Sequence, residues 1–361
     1  MKSVVFGPRL GFAWDVQGTG QTVVRGGYGM FNYHDEQAGA GTMDLPAGVA
    51  QTTVGGNPRM SDLPGIVPAA TRQNIEAFDP TDDLNPRTQS WSLTVQRRLP
   101  WSVTYETSYV GSKSDQLRNH NLYNINLVPF GAMLNDPNGD PNNYRPLQLY
   151  NALNVHDHNL YSNYHSWQNL VSRQSGRFSF TAAYTLSKAL GIRGGAGQAG
   201  QAIYPPSLAD IRDFSYGTLG NDRRHLLSFA YSWLLPDVRD GLTNAILGGW
   251  QISGISQFVS GVPLQVVGGA GNFRISGTNE NGVTIGNTQM TGSNDILAMP
   301  TLTCDPRGDG DVLARAECFA APTPGVLGDY VWLNIEGPWY KNHDLSVFKN
   351  VPFGGNKKFQ F

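Results

Sequence analysis

The sequence predicts an all-β fold, in which antiparallel, up-and-down strands form the wall of a transmembrane β-barrel. Three observations predict it. Strand-length segments alternate between apolar and polar residues, the pattern of a strand with two different environments. The linkers between them are alternately very short and very long, as tight periplasmic turns and long outer loops require. Charged residues are 15% of the chain's 361 residues, well below the roughly 25% of soluble domains.

Ten strand candidates fall in five down-and-up pairs. The first is Arg9–Val16 and Thr22–Tyr33, joined by Gln17-Gly-Thr-Gly20, residues that tolerate positive φ. The second is the sharpest. Trp91-Ser-Leu93-Thr-Val95-Gln leads through Arg98-Leu99-Pro100 into Trp101-Ser-Val103-Thr-Tyr105-Glu-Thr107-Ser-Tyr109. One of its faces is apolar and aromatic, the other Ser, Thr, Gln and Glu. The third is Tyr164–Arg173 and Arg177–Lys188 around Gln174-Ser-Gly176. The fourth is Arg224–Leu235 and Gly249–Val259, with an extension through Pro263–Val267 and a longer linker beginning Pro236-Asp237. The fifth is His343–Val351 and Lys357–Phe361, around Pro352-Phe-Gly-Gly-Asn356.

Between the pairs lie Asp35–Arg87, Ser112–Asn163, Ala189–Arg223 and Gly268–Asn342, dense in Gly, Pro, Asn and Asp. Structureless loops of this length argue against an ordinary compact domain. A soluble sandwich or propeller with an aromatic core face would explain neither their length nor the linker alternation. No run of about 18 apolar residues exists, so no transmembrane helix is expected; barrel strands barely register on hydropathy. Basic and acidic residues number 26 and 28, which gives no electrostatic case for a nucleic-acid partner.

Charge placement is an independent check. The faces Phe178, Phe180, Ala182, Tyr184, Leu186; Leu227, Phe229, Tyr231, Trp233, Leu235; and Trp250, Ile252, Gly254 carry no ionised residue. An Arg or Lys at the bilayer midplane costs about 2–4 kcal/mol. Strand charges sit instead on the other face (Arg25, Glu106) or at strand ends (Arg97, Lys188, Arg224). Trp14, Trp101, Trp233 and Trp250 fall beside short or medium linkers, where a periplasmic aromatic girdle belongs. Trp91, Tyr109 and Tyr33 fall at the long-loop ends. Asp222, Arg223, Arg224 and His225 form the densest charged cluster, at the outer rim where a strand enters from a loop. An exposed rim network or headgroup contact is expected there, with direct ligand contact as the alternative.

Cys304 and Cys318 share one long loop and would close it as a disulfide in an oxidising compartment. Two free thiols or half a metal site are the alternatives; no CxxC or nearby paired His supports zinc. Gly195-Ala-Gly197-Gln-Ala-Gly200 matches GxGxxG, but Tyr204-Pro205-Pro206 forbids the helix a dinucleotide site needs. Asp136-Pro-Asn138-Gly-Asp140-Pro-Asn142 resembles the start of a calcium loop but has Leu147 where the terminal Glu belongs. His156-Asp157-His158 with His165 lacks a second acidic or thiol cluster, and Arg307-Gly-Asp309 reads as a chance tripeptide. No nucleophile–base constellation stands out, and neither enzyme activity nor a cofactor is expected.

Several motifs resemble the barrel of Oar-like TonB-dependent receptors, and in the same order. They are Phe6-Gly-Pro-Arg-Leu-Gly-Phe-Ala-Trp14, Thr22-Val-Val-Arg-Gly-Gly-Tyr-Gly-Met-Phe31, Asn85-Pro-Arg-Thr-Gln-Ser-Trp91 and Tyr184-Thr-Leu-Ser-Lys-Ala-Leu190. Asn221-Asp-Arg-Arg-His225, Gly248-Gly-Trp-Gln-Ile-Ser-Gly254, Ser260-Gly-Val-Pro263 and Asp344-Leu-Ser-Val-Phe-Lys-Asn350 complete the set. The resemblance implies a longer protein with a signal peptide, a regulatory-like β domain, a plug and a barrel of about 22 strands. On that reading residues 1–361 are one partial barrel, about ten strands, without plug or coupling box. The start at Met1 is too quickly broken to be a signal peptide. The short final segment ending at Phe361 reads as a truncation. The implied function is energy-dependent substrate uptake across the outer membrane. The implied partners are outer-membrane lipid, the plug, the inner-membrane TonB-type coupler and an extracellular ligand. A passive porin or adhesin barrel, and a secreted glycan-binding β-protein, are the alternatives.

Overall fold

In the computed structural model the residues described are 5–33, 74–78, 81–117, 124–192, 212, 216–236, 241–264, 277–278, 284–296, 298, 300–309, 312–328, 335–352 and 358–361. Ten strands follow one another as a meander in which each pairs antiparallel with the next. They are β1 (Arg9–Asp15), β2 (Thr22–Asn32), β3 (Arg87–Leu99), β4 (Val103–Leu117), β5 (Leu160–Arg173), β6 (Phe178–Ile192), β7 (His225–Leu234), β8 (Trp250–Val259), β9 (Tyr340–Pro352) and β10 (Lys358–Gln360). The short strand Tyr216–Thr218 adds to the end of β6. Among the described residues β1 and β10 each have a single strand neighbour, so the sheet is open. No helix among them is long and apolar enough to cross a membrane.

All five expected strand pairs are present; residues 353–356 of the fifth turn lie outside the described residues. Gly18 and Gly20 supply positive φ between β1 and β2, and the Asp15 carboxylate accepts the Gly20 N–H at 2.7 Å. The β3–β4 turn is tighter, a single 3-10 turn at Pro100–Ser102 with Trp101 at φ 60°. Gly176 (φ 84°) turns β5 into β6. The β7–β8 linker holds a helix the sequence reading did not anticipate, α1 (Gly241–Leu247). Its last carbonyls are capped by Lys349 of β9, whose Nζ donates to the oxygens of Ile246 and Gly248, and by the Trp250 indole N–H at 2.9 Å. A cation there also meets the negative end of the helix dipole. Pro263–Leu264 pairs with Ile335–Glu336 rather than prolonging β8; residues 265–267 of the expected extension lie outside the described residues.

Several strands run further toward the long loops than the alternation shows. β3 starts at Arg87 and β4 continues to Leu117, with its register broken between Ser114 and Leu117. What holds these ends is polar. Arg87 binds Asp115 through two contacts of 2.8 and 3.0 Å, and the hydroxyls of Thr88 and Ser114 meet at 2.9 Å.

The buried apolar residues lie almost wholly outside the strand centres. Val128, Met133, Ile296 and Ile335 are at most 1% exposed, all in the segments between strands. Within the strands Leu93, Trp167, Leu345 and Val347 are at least half exposed, while Ser108, Ser166 and Ser187 are buried. For a protein in water this is inverted. The inversion identifies the solvent.

Candidate functional site

Directly paired residues share a face, so the registers assign every strand side chain to one of two surfaces. The first carries Phe12 and Trp14 of β1, Leu93 and Val95 of β3, Trp167 and Val171 of β5, Phe180 and Tyr184 of β6, Phe229 and Tyr231 of β7, and Leu345 and Val347 of β9. The second carries Ser92 and Thr94, Ser108, Gln168, Thr181 and Thr185, Ser228 and Ser232, Ser253 and Gln257, and Asp344 and Ser346. A concavity of about 420 Å³ opens on this polar surface, lined by Thr181, Ser232, Ser253, Asp344, Ser346 and Phe348 among others. In a transmembrane barrel the apolar, aromatic face meets lipid and the polar face the lumen, so the polar face is called the inner one and the aromatic face the outer one. Cross-strand hydroxyl contacts line the inner face, with Thr94–Ser108 at 2.9 Å and Ser232–Ser253 at 3.0 Å.

The outer face bears charge only near its two ends. Counting Arg, Lys, Asp and Glu, the outer face of β3 is clear from Arg87 to Arg97 and that of β9 from Lys341 to Lys349, where His343 is the one titratable side chain between them. These stretches of eight to ten residues span about 26–33 Å along the strand at roughly 3.3 Å per residue. The two boundaries drift together around the wall. The row through Arg97 passes Tyr105, Val171, Ala182, Phe229 and Ser256 to His343, yet on β9 the inner boundary is Lys349, six residues further along. The outer boundary slips eight residues over the same six strands, from Arg87 to Lys341. One to 1.3 residues per strand, against a spacing of about 4.8 Å, gives a tilt of roughly 35–42°. A charge-free slab therefore crosses the tilted strands, about 20–25 Å thick along its normal, as a transmembrane barrel requires.

On the outer face large rings cover small partners. Tyr231 lies over Gly254, its direct pair, so closely that a Cβ there would stand 2.7 Å from the Tyr231 oxygen. Trp91 covers Gly111, and Phe12 covers Gly26, in the same way. Trp14, Trp233 and Trp250 project from the outer face at the short-linker end, and Trp101 stands in the β3–β4 turn, 83% exposed. Trp91 and Tyr109 stand four residues inside the outer charges Arg87 and Lys113, because β3 and β4 run on past them.

The Asp222 cluster is less exposed than the sequence suggested. Asp222 is 4% exposed; its carboxylate accepts the Ala189 N–H at 2.6 Å and Lys188 Nζ at 2.9 Å. The Arg223 carbonyl accepts the Ser187 hydroxyl, and its guanidinium donates to the Ser260 carbonyl. His225 meets Tyr184 Oη at 2.9 Å and stacks on Trp339. Only Arg224 of the four is exposed. The cluster stitches β6, β7 and the end of β8 at the outer rim. On the inner face Arg25 binds Glu106 at 2.6 Å and Gln96 at 2.8 Å, and Asp344 accepts from Asn342; Arg9, Asp15 and Arg98 share this face nearer the strand ends.

Above the rim the loops form a packed layer. The β4–β5 loop buries Val128 and Met133 and the β8–β9 loop buries Met290, Ile296 and Ala298, each at most 4% exposed. Asn126, fully buried, donates to the carbonyls of Leu147, Tyr150 and Asn151. Cys304 and Cys318 are joined in a disulfide that closes a hairpin within the β8–β9 loop. Inside it Arg307 clasps Asp305, with contacts down to 2.6 Å, and holds that carboxyl at a pKa of about 2. Arg315 pairs with Asp309 at 2.6 Å. Asp136 accepts the Tyr144 hydroxyl, raising the phenol pKa, and Asp140 caps Asn142; these carboxylates serve the loop's own turns. His158 pairs with Asp82, while His165 sits on the outer face against Tyr109. Among the described residues no three His, Cys, Asp or Glu side chains are placed to hold a metal. The Gly195–Gly200 motif lies outside the described residues.

A family model described as outer membrane beta barrel domain matches residues 2–361. No curated protein matches the chain. Among solved structures, the complex of FpvAI with pyocin S2 aligns at 11% identity and a TM-score of 0.35, covering 73% of this chain and 24% of that one. The ferric-catecholate import receptor Fiu from K12 E. coli aligns at 11% identity and 0.37, covering 75% and 26%. The FrpB iron transporter from Neisseria meningitidis aligns at 10% identity and 0.36, covering 77% and 29%. The chain spans about a quarter of the length of these structures.

Proposed function

The chain belongs to the outer membrane β-barrel domain family, and from that premise we propose that it is part of the wall of an Oar-like TonB-dependent receptor. Residues 1–361 supply about ten strands of a wall of some 22. A plug from another segment fills the lumen, and an inner-membrane coupler drives uptake of a ligand captured by the outer loops. The open edges of β1 and β10 suit strands from the rest of such a wall. Catalysis forms no part of this reading.

The observation that carries the proposal is the inner face. Its side chains are mostly small hydroxyls and amides; at mid-strand its charges are the Arg25–Glu106 pair and Asp344, with Arg9, Asp15 and Arg98 toward the strand ends. A ring of charged side chains is one way an open pore selects what passes. Short hydroxyl side chains suit close packing and hydrogen bonding against a protein domain inside. The test is conductance of the whole protein in planar bilayers. The receptor reading expects no steady current until the plug is removed. Stable open-channel current from the intact protein would favour the passive porin instead.

A further inference from the structure

We infer that the β4–β5 and β8–β9 outer loops are locked into one rigid strap, preassembled without ligand, with Asp295 as its keystone. The lock is made of charge, backbone and packing together. The Asp295 carboxylate accepts the Val128 N–H at 2.8 Å and both terminal nitrogens of Arg145, at 2.7 and 3.1 Å. Arg145 also donates to the Asn126 carbonyl at 2.6 Å. Both partners are withdrawn from water, with side chains 7% and 17% exposed. Around them, Gly131 donates its N–H to the Thr291 carbonyl at 2.7 Å and Met133 to the Gly292 carbonyl at 2.9 Å. The Ser293 hydroxyl donates to the Val128 carbonyl, and Gly325 closes the far side on the Met290 carbonyl.

Two glycines show how close the loops come. Gly131 and Gly292 both take positive φ, and a Cβ on Gly292 would lie 2.6 Å from Gly131 Cα. Beside these contacts each loop buries apolar side chains of its own, Val128 and Met133 in one and Met290, Ile296 and Ala298 in the other. A loop acting as an independent flap needs few buried contacts. These loops have the opposite construction. In the sheet β6 and β7 separate β5 from β8, so the strap ties the outer ends of β4 and β5 to those of β8 and β9. A ligand arriving from outside meets one composite surface built from both loops, and any movement is movement of the whole strap.

Coupling of this kind is reciprocal: a change in either loop is felt in the other. The experiment is hydrogen exchange read by mass spectrometry, on the whole chain refolded in detergent without ligand. Wild-type peptides covering 126–147 and 288–298 are expected to exchange at least about 100-fold more slowly than unstructured chain. Asp295→Asn and Arg145→Met are each expected to raise exchange about tenfold in both segments, because one buried partner is left uncompensated. Peptides from β7 and β8 should be unchanged, which separates unlocking from misfolding; Arg145→Lys serves as the milder variant. Wild-type loops that exchange freely would overturn the inference. So would an effect confined to the segment carrying the substitution.

Discussion

The wall and the loop layer handle apolar side chains in opposite ways. In the wall, Leu93, Trp167 and Leu345 stand at least half exposed on the outer face, while Ser108, Ser166 and Ser187 are buried. In the loop layer Val128, Met133 and Ile296 are enclosed, as in the core of a small water-soluble domain. One chain thus contains two solvents' worth of design within a few residues of each other. The wall is complete only when lipid covers it. The strap above it carries its own core. The boundary between them is the line of Lys113, Lys188 and Lys341.

The hardest way to break this contrast is to put a charge into the wall at mid-depth. Leu345 lies midway between Lys341 and Lys349 on the outer face, so Leu345→Arg should cost about 2–4 kcal/mol of stability in liposomes. Ser346→Arg, one residue away on the inner face, should cost far less in the same urea titration. Equal losses would mean the two faces are not differently solvated. Next comes the loop layer's cross-link. Replacing Cys304 and Cys318 by Ser should destabilise the hairpin by about 3 kcal/mol, from the loop length of 14 residues, and leave the wall's unfolding midpoint unchanged. Limited proteolysis in detergent reads the first effect and tryptophan fluorescence the second.

A smaller effect sharpens the contrast from inside the loops. Asn126→Ala removes the donor to three carbonyls and should cost the layer about 1–3 kcal/mol, seen as faster exchange of peptides spanning 124–151 with no change in β5. The smallest concerns pH. Asp305 is held at a pKa of about 2, first by its hydrogen bond from Arg307, below its ordinary carboxylate value. The pair's contribution is then present above about pH 4 and fades as the pH falls toward 2. Asp305→Asn should remove that acid sensitivity from hairpin proteolysis and alter nothing in the wall.

The wall was legible in the sequence because its signal is local. Phe178, Phe180, Ala182, Tyr184 and Leu186 announce a strand and a face on their own. The outer ends of the strands were less so: Arg87 with Asp115, and Thr88 with Ser114, extend pairing through polar contacts that leave no apolar alternation. The strap was not legible at all. Val128 and Asp295 are 167 residues apart, and neither segment has a period or propensity pointing to the other. Helix α1 was hidden for a similar reason, since Lys349, which caps it, comes 102 residues after Leu247. The Asp222 cluster could be found as a charged rim motif, but its burial depends on Ser187, Ala189 and Ser260 arriving from other strands.

The drift of the charged boundaries also turns the hydrogen-bond network into a ramp. Phe12, Gly26, Leu93, Tyr109, Trp167, Leu186 and His225 lie side by side in one row of paired residues. That row starts beside Trp14 near the inner surface and ends at His225 in the outer rim. Over six strand spacings at a tilt of about 40° it climbs roughly 18 Å, most of the thickness of the slab. Sideways neighbours on this wall are therefore never at equal depth. A set of spin labels or quenchers placed along that row would sample the bilayer from one leaflet to the other, as a staircase does in a cylindrical tower.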